Sequence, residues 1–267
     1  MIYEFFKQNG FESVKEEYLT ASQLGNSNVF EFPSSDIQMI TNSMKGEATA
    51  LSALEIYSAL TKMLRQQQLK SDPKILDYGC GWGRITRLFP TLTSDENVYG
   101  VDVDSRLISS ANECASTMEF KEIESMGELP FDSGGFDLIF ANSVFSHLSE
   151  KSAMSTLTEL VRVLSLEGML IVSVLELKEM EKFYSNQKQR EWIEKILGTQ
   201  EEATKMLTEK NFVWGDTKRW DNYGIAIMND SWLKDHLSTI GAKLIDTYRS
   251  GAAGSQNYKI IVKNNLN

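Results

Sequence analysis

The chain has 267 residues, of which 42% are hydrophobic, and a formal net charge of −10. The length and composition fit one large globular domain, or a domain with an appendage. No apolar run approaches the ~20 residues that a helix needs to span a bilayer. The negative charge argues against nucleic acid as a partner, because phosphate contacts need a basic surface. The first residues show no basic leader with a small-residue cleavage site. The two cysteines are too few for a disulfide framework, so we expect a cytoplasmic protein. They are also not spaced like the ligands of a zinc site, so we expect no metal site.

Residues 1–70 are predicted to form an N-terminal helical segment. A helix begins the segment, a polar loop follows near 25–35, and a second helix covers 47–67. Apolar residues recur at helical spacing along that second helix and predict one buried stripe, made of Leu51, Leu54, Tyr57, Leu60 and Leu64.

Strands and helices then alternate, which predicts parallel strands with helices on both faces of one sheet. The core is placed at 71–175, and the end of the sheet at 230–267. The predicted strands are 74–78, 97–102, 118–123, 136–142, 168–175, 242–248 and 257–263.

Residues 176–229 interrupt this alternation and are predicted to form a cap insertion. They begin with a predicted helix at 177–197, and Thr199 with Glu202 forms a capping box for a second helix that ends near Lys210. A loop rich in aromatic residues follows at 212–223. Long insertions beside the carboxyl ends of strands are usually functional, so we expect this segment, together with the N-terminal segment, to form the substrate site and to act as a lid.

The most informative stretch is 74–83, where a short apolar run ends in Asp77 and glycines follow at 79, 81 and 83. A strand, a glycine turn and a plausible helix at 84–92 bring bare backbone close to a nucleotide-like ligand, although Pro90 strains the end of that helix. A second apolar run ends in Asp102, which is placed to accept hydrogen bonds from both ribose hydroxyls. The third glycine comes one residue earlier than in the dinucleotide motif, and Asp77 suits an ammonium group and repels a pyrophosphate.

The pattern D-x-G-x-G-x-G closely resembles that of class I S-adenosylmethionine (SAM) methyltransferases. Further segments resemble the same family in the expected order, at 124–137, 143–148, 160–172 and 256–263. The resemblance implies a Rossmann-like, doubly wound α/β fold. Its seven-stranded sheet is mostly parallel with an antiparallel last strand, and a helical cap is added. SAM is the implied cofactor.

The resemblance also implies which residues bind SAM. The glycines would let the backbone approach its methionine and ribose parts, Asp77 would face the ammonium group, and Arg84 would pair with its carboxylate or with an acid nearby. Near the adenine, Ser125 replaces the acid that the family often has, while Met126 would offer its backbone N–H. The full set is Asp77, Gly79, Cys80, Gly81, Gly83, Arg84, Asp102, Val103, Ser125, Met126 and Asn142.

The remaining candidates concern the methyl acceptor. His147 follows the fourth strand, where it is either a general base or a scaffold residue, while Trp220 and Tyr223 are candidate substrate contacts. We expect methyl transfer to an oxygen or nitrogen of a small molecule such as a sugar, a lipid or a natural product. A protein or RNA acceptor is the alternative. An NAD-dependent oxidoreductase and a non-catalytic binding protein are weaker ones. The oligomeric state is left open.

Overall fold

The computed structural model describes residues 2–67, 69–218, 223–249 and 256–264. Its α-helices are α1 (Ile2–Leu24), α2 (Ser35–Asn42), α3 (Glu47–Leu64), α4 (Ser105–Cys114), α5 (Glu150–Val163), α6 (Leu177–Ser185), α7 (Gln187–Leu197), α8 (Gln200–Lys210) and α9 (Asp230–Thr239). Its strands are β1 (Ile75–Tyr78), β2 (Val98–Asp102), β3 (Glu119–Glu122), β4 (Phe136–Ala141), β5 (Leu164–Val174), β6 (Phe212–Asp216), β7 (Gly224–Met228), β8 (Ala242–Arg249) and β9 (Asn257–Lys263). Two short 3-10 helices cover Thr86–Thr91 and Asp95–Asn97.

Seven of these strands form one sheet in the order β3-β2-β1-β4-β5-β9-β8. Strand β2 pairs in parallel with both β1 and β3, whereas β9 runs antiparallel to both β5 and β8. All four residues of β1 are buried, as expected for a parallel strand covered on both faces. The predicted fold class is therefore confirmed, including the antiparallel last strand.

The chain forms two compact units. The first comprises Met1–Glu124 with Phe136–Leu138, and the second comprises Ser125–Gly135 with Ile139–Asn267.

In the first unit, the N-terminal helices pack through aromatic side chains. The ring of Tyr57 on α3 stacks on Phe11 with centroids 5.6 Å apart and lies 6.4 Å from the ring of Phe89. The predicted stripe on α3 is buried except at Leu51, which is 45% exposed and was wrongly included. That residue lies at the edge of the stripe, where helical periodicity alone does not separate buried positions from exposed ones.

The predicted helix at 84–92 is shorter and tighter in the structure. The regular part is a 3-10 helix, Thr86–Thr91, and it contains Pro90. Because proline has no N–H to donate and its ring clashes with the preceding turn, an α-helix does not continue through it.

In the second unit, the cap insertion has its own hydrophobic core. Helices α6, α7 and α8 and the β6–β7 hairpin contribute to one cluster of buried side chains, formed by Leu175, Met180, Tyr184, Ile193, Leu197, Ala203, Leu207, Val213, Ile225 and Ile227. Thr199 and Glu202 form the predicted capping box at the start of α8.

Two elements of the cap insertion differ from prediction. The single helix expected at 177–197 is divided at Asn186, whose side chain accepts a hydrogen bond from the backbone N–H of Gln189 and so starts a new helix. The first five residues of the aromatic loop expected at 212–223 are instead strand β6, which pairs antiparallel with β7. The sequence did not indicate this pairing, because β7, the partner strand of β6, lies beyond the predicted loop.

Both ends of the cap insertion meet one lysine of β9. Lys259 is only 1% exposed, and its Nζ donates to Glu176 Oε1 at 2.6 Å and to Asp230 Oδ1 at 2.5 Å. Glu176 caps the start of α6, and Asp230 is the first residue of α9. Asn257 donates to the other oxygen of Glu176. We call these four residues the Lys259 clamp.

Among the described helices, none combines the length and the apolar character that a membrane crossing requires.

Candidate functional site

The glycine turn after β1 needs glycine for its own packing. Gly81 and Gly83 have φ values of 57° and 79°, in the left-handed region that residues with a side chain rarely adopt. A Cβ at Gly81 would lie 2.6 Å from Cγ2 of Thr41, and one at Gly83 would lie 3.2 Å from the ring of Phe120. The backbone of the turn is thus fixed by protein contacts.

Asp102 is tied to this turn at the end of β2. Its Oδ2 accepts the backbone N–H of Gly81 at 2.8 Å, and its Oδ1 accepts that of Asp104 at 3.0 Å. Burial raises the pKa of Asp102, while these hydrogen bonds oppose the shift. The neighbouring Val103 is 55% exposed, which leaves an apolar surface beside the carboxylate. Since each carboxylate oxygen has a second lone pair, Asp102 can still accept hydrogen bonds from a bound hydroxyl.

Asp77 lies in β1, just before the turn, and is 2% exposed. Burial is the largest cause that raises its pKa to about 7, and the charge of Asp102 acts in the same direction. The Thr86 hydroxyl, which donates to Oδ2 at 2.6 Å, and the charge of Arg84 act against the rise. A buried carboxyl with a raised pKa gains from a cation placed beside it, so this donor set fits the ammonium group of SAM.

Arg84 and Cys80 are buried at the turn. The Nη1 of Arg84 lies 3.5 Å from Oγ of Ser52, and its carbonyl oxygen accepts the hydroxyl of Tyr18. The thiol of Cys80 donates to the carbonyl of Gly81 at 3.4 Å, and burial raises its pKa well above the ordinary value. Cys80 is therefore an uncharged, packed side chain. The structure thus gathers seven of the predicted cofactor residues in the first unit, namely Asp77, Gly79, Cys80, Gly81, Gly83, Arg84 and Asp102, with Val103 adjoining them.

The remaining cofactor candidates lie in the second unit. Ser125 is exposed, while Met126 adopts a φ of 61° and its sulfur accepts the hydroxyl of Ser152 at 3.2 Å. Oδ1 of Asn142 accepts the hydroxyl of Tyr258 at 2.9 Å, which directs the amide nitrogen of Asn142 away from Tyr258.

A polar cluster that the sequence analysis missed lies just after β4. Oγ of Ser173 accepts the backbone N–H of Ser143 at 2.6 Å and donates to Oε1 of Gln256 at 2.6 Å. Nε2 of Gln256 donates to Oγ of Ser143 at 2.8 Å and to Oγ of Ser146 at 3.2 Å. One signal was available, because Ser173 interrupts the apolar run 169–174 in the second half of β5.

His147 is held by the residues that begin β7. Its Nδ1 lies 2.8 Å from the carbonyl oxygen of Gly224, and its ring stacks on Tyr223 with centroids 4.4 Å apart and 12° between the planes. Burial lowers the pKa of the imidazole, and the Gly224 carbonyl partly opposes this. Two of the three predicted acceptor-site residues, His147 and Tyr223, are thus in contact, while Trp220 lies outside the described residues.

Comparisons with known proteins show which family the chain belongs to. A family model described as a methyltransferase domain matches residues 69–211, more than half of the chain. A malonyl-[acyl-carrier protein] O-methyltransferase of Legionella pneumophila is 33% identical over 114 residues, which cover 42% of this chain and 39% of that protein. A ribosomal protein L11 methyltransferase of Paraburkholderia phymatum is 31% identical over 91 residues, covering 33% of this chain and 29% of that protein. The chain thus matches less than half the length of these curated relatives.

The fold agrees with solved structures as well. A SAM-dependent methyltransferase from Aquifex aeolicus superimposes with a TM-score of 0.52 and 20% identity, covering 86% of this chain and 98% of that one. At this level of identity the likeness concerns the fold. Together with the family model and the paired acids of the glycine turn, it leads to one conclusion: the chain belongs to the class I methyltransferase family, whose cofactor is S-adenosylmethionine.

Proposed function

We propose that the protein transfers the methyl group of SAM to an oxygen or nitrogen atom of a small molecule. The observation that carries this proposal is which ring nitrogen of His147 carries the hydrogen. Nδ1 is bonded to a carbonyl oxygen, which only accepts, so Nδ1 carries the hydrogen and Nε2 keeps a lone pair. A neutral imidazole of this kind can take the proton that a hydroxyl or ammonium group loses to become the nucleophile that is methylated.

In this proposal the first unit would supply most of the residues that bind the cofactor. Asp102 would accept the ribose hydroxyls, Val103 would lie against the adenine, and Asp77 would face the ammonium group. The bare backbone of the glycine turn would allow close approach of the ligand. When bound, SAM supplies a methyl group that its sulfonium already activates.

The proton and electron balance of the transfer is simple. A bond would form between the acceptor atom and the methyl carbon, and the electron pair of the broken carbon–sulfur bond would stay on sulfur. Nε2 of His147 would take the acceptor proton and pass it to water. Alignment and exclusion of water account for much of the rate in such a displacement, and a base matters most for an acceptor of high pKa.

One feature favours a small acceptor and another favours an oxygen atom. The cap insertion presents the ring of Tyr223 beside His147, and small-molecule pockets are lined mostly by apolar and aromatic side chains. The Legionella relative is named as a malonyl-[acyl-carrier protein] O-methyltransferase, so its name gives oxygen as the acceptor atom. The Paraburkholderia relative is named for a ribosomal protein, so a protein acceptor is the second candidate. A cell extract incubated with SAM labelled in its methyl group separates the two, because the label enters either the small-molecule or the protein fraction.

Titration calorimetry tests the cofactor assignment. We expect SAM and its demethylated product to bind and NAD not to bind. Asp102→Ala should weaken SAM binding by about 10- to 100-fold, since a lost charge-assisted contact costs about 1.5–3 kcal/mol. Asp104→Ala is a matched control, because Asp104 caps α4 and should leave SAM affinity nearly unchanged. Equal affinity of wild type and Asp102→Ala would remove Asp102 from the ribose site, and binding of NAD alone would contradict the proposed function.

A further inference from the structure

The loop that carries His147 is bonded to the β6–β7 hairpin of the cap insertion as if it were a third strand. The N–H of Ala226 donates to the carbonyl of Ser146 at 2.8 Å, and the N–H of Gly224 donates to the carbonyl of His147 at 2.8 Å. The indole N–H of Trp214 donates to the same His147 carbonyl at 3.1 Å. An isolated bridge also pairs Leu148 with Tyr223. The backbone of His147 is therefore fixed from one side by a single hairpin.

The side chain of His147 is fixed by the same hairpin. Gly224 accepts the hydrogen of Nδ1, and the ring of Tyr223 lies nearly parallel to the imidazole. Hydrogen bonds to one ring nitrogen decide which nitrogen carries the proton. Within the described residues no side chain or backbone group is bonded to Nε2, so this nitrogen remains available to a ligand.

The close fit depends on glycine at the first position of β7. A Cβ on Gly224 would lie 2.2 Å from the carbonyl oxygen of Gly215 and 2.5 Å from the indole nitrogen of Trp214. Neither atom can move away cheaply, because the first belongs to the backbone of the paired strand and the second is bonded to His147. Glycine at 224 thus allows two groups that contact His147 to lie side by side. One is the carbonyl of Gly224, which orients the ring, and the other is the indole of Trp214, which is bonded to the His147 backbone.

From these contacts we infer that Gly224, Tyr223 and Trp214 are positioning residues, through which the cap insertion sets the tautomer and ring orientation of His147. The inference rests on the proposed function, in which Nε2 takes the proton of the acceptor. It gives the cap insertion a role in the chemical step as well as in acceptor binding. Substitutions in the hairpin should then slow transfer even where they touch no acceptor atom.

The surroundings of His147 make the effect measurable. Among the residues that the structure describes, Tyr223 is the titratable side chain in contact with the ring. Burial lowers the pKa of His147, and the Gly224 carbonyl opposes this. Loss of the Tyr223 ring would admit water, so the pKa of His147 would rise toward its ordinary value. Loss of the Trp214 N–H would loosen the loop but leave the ring of Tyr223 in place.

Nitrogen NMR of the imidazole rings tests the inference without any assay of activity. The chain has two histidines, and His236→Gln assigns their signals. We expect wild-type His147 to be neutral at pH 7 with hydrogen on Nδ1. Tyr223→Leu should raise its pKa and mix the two tautomers, Tyr223→Phe should keep both properties, and Trp214→Phe should mix the tautomers less. Trp192→Phe, on an exposed part of α7, is the control.

Kinetics on the same variants separates this inference from the proposed function. Tyr223→Leu should lower kcat about 10- to 100-fold with SAM affinity unchanged, because small displacements of a catalytic group cost that much, and the acidic limb of the pH–rate profile should follow the NMR pKa. If the NMR signals change and kcat does not, the hairpin positions His147 but His147 is not the base. If His147 keeps its tautomer and pKa in both Tyr223→Leu and Trp214→Phe, the positioning role is overturned. If Tyr223→Leu does not fold, the tautomer and pKa of His147 in Trp214→Phe alone decide whether the hairpin positions His147.

Discussion

Two aspartates beside the glycine turn, Asp77 in β1 and Asp102 at the end of β2, differ in the hydrogen bonds that their carboxylates accept. Asp102 accepts two backbone N–H groups, whereas Asp77 accepts the side-chain hydroxyl of Thr86 and is almost fully buried. Backbone donors favour the charged form of a carboxylate, and burial disfavours it. The free protein thus holds in Asp77 a buried acid whose charge is costly until a cation lies beside it.

Asp77→Asn should therefore stabilise the free protein at high pH. The folded pKa of about 7 is above the ordinary 3.8, so the contribution of Asp77 to stability is full below about pH 4 and is lost as pH rises to 7. The loss is on the order of 4 kcal/mol at pH 8. We expect the Tm of Asp77→Asn minus that of wild type to increase from pH 4 to pH 8.

Asp104→Asn is a control of opposite sign for that measurement. Its hydrogen bonds to Arg106 lower the pKa of Asp104, so its stabilising effect is present at high pH and is lost as pH falls. The Tm difference for Asp104→Asn should therefore become more negative with rising pH. A Tm difference for Asp77→Asn that does not vary with pH would show that Asp77 is ionised in the folded protein at all these values.

His147→Gln should lower kcat by about 10²–10⁴-fold and leave SAM affinity nearly unchanged. Because burial lowers the pKa of His147, the wild-type rate should fall only below the ordinary imidazole range, and the variant should lack this limb. His236→Gln is the matched control, since His236 is half-buried on α9 and its Nε2 lies 3.1 Å from the carbonyl oxygen of Met154. Normal turnover per folded molecule of His147→Gln would assign His147 to the scaffold.

At the scale of elements, strands were predicted more accurately than the cap insertion. Apolar runs such as Ile75-Leu76 mark the buried strands directly, because a strand covered on both faces excludes polar residues. In the cap insertion, helical periodicity runs through Asn186 without a break, so the sequence shows one helix where there are two. The β6–β7 pairing depends on contacts across the hairpin, which no local pattern records.

The Lys259 clamp predicts how the cap insertion is held. Lys259→Met should destabilise the protein by about 3 kcal/mol, at the low end for a broken buried ion pair, because Glu176 and Asp230 are partly exposed and can be hydrated. Hydrogen exchange should accelerate in α6 and at the start of α9, while β1 and β2 keep their protection. Lys263→Met on the same strand is the control. Unchanged exchange in α6 would mean that the hydrophobic cluster alone holds the insertion.

At the scale of the whole molecule, the motif at 77–83, with the later segments that resemble the same family, was enough to predict the family, the cofactor and the fold class, including the antiparallel last strand. The division at 1–70, 71–175, 176–229 and 230–267 stays a prediction, as do the roles of the individual site residues. The polar cluster of Ser143, Ser146, Ser173 and Gln256 could not be predicted, because its members are up to 113 residues apart and only folding brings them together.

The Lys259 clamp also has a consequence for the order in which the chain assembles during synthesis. The cap insertion at 176–229 leaves the ribosome before β9, so its three helices and hairpin can gather their apolar cluster while Glu176 and Asp230 still lack their lysine. Only when β9 enters the sheet between β5 and β8 does Lys259 reach both carboxylates. The sheet is therefore completed, and Lys259 bonds Glu176 and Asp230, in one late step. A nascent chain that stops before Lys259 has a cap insertion whose helices and hairpin are formed but whose two carboxylates are not bonded to β9.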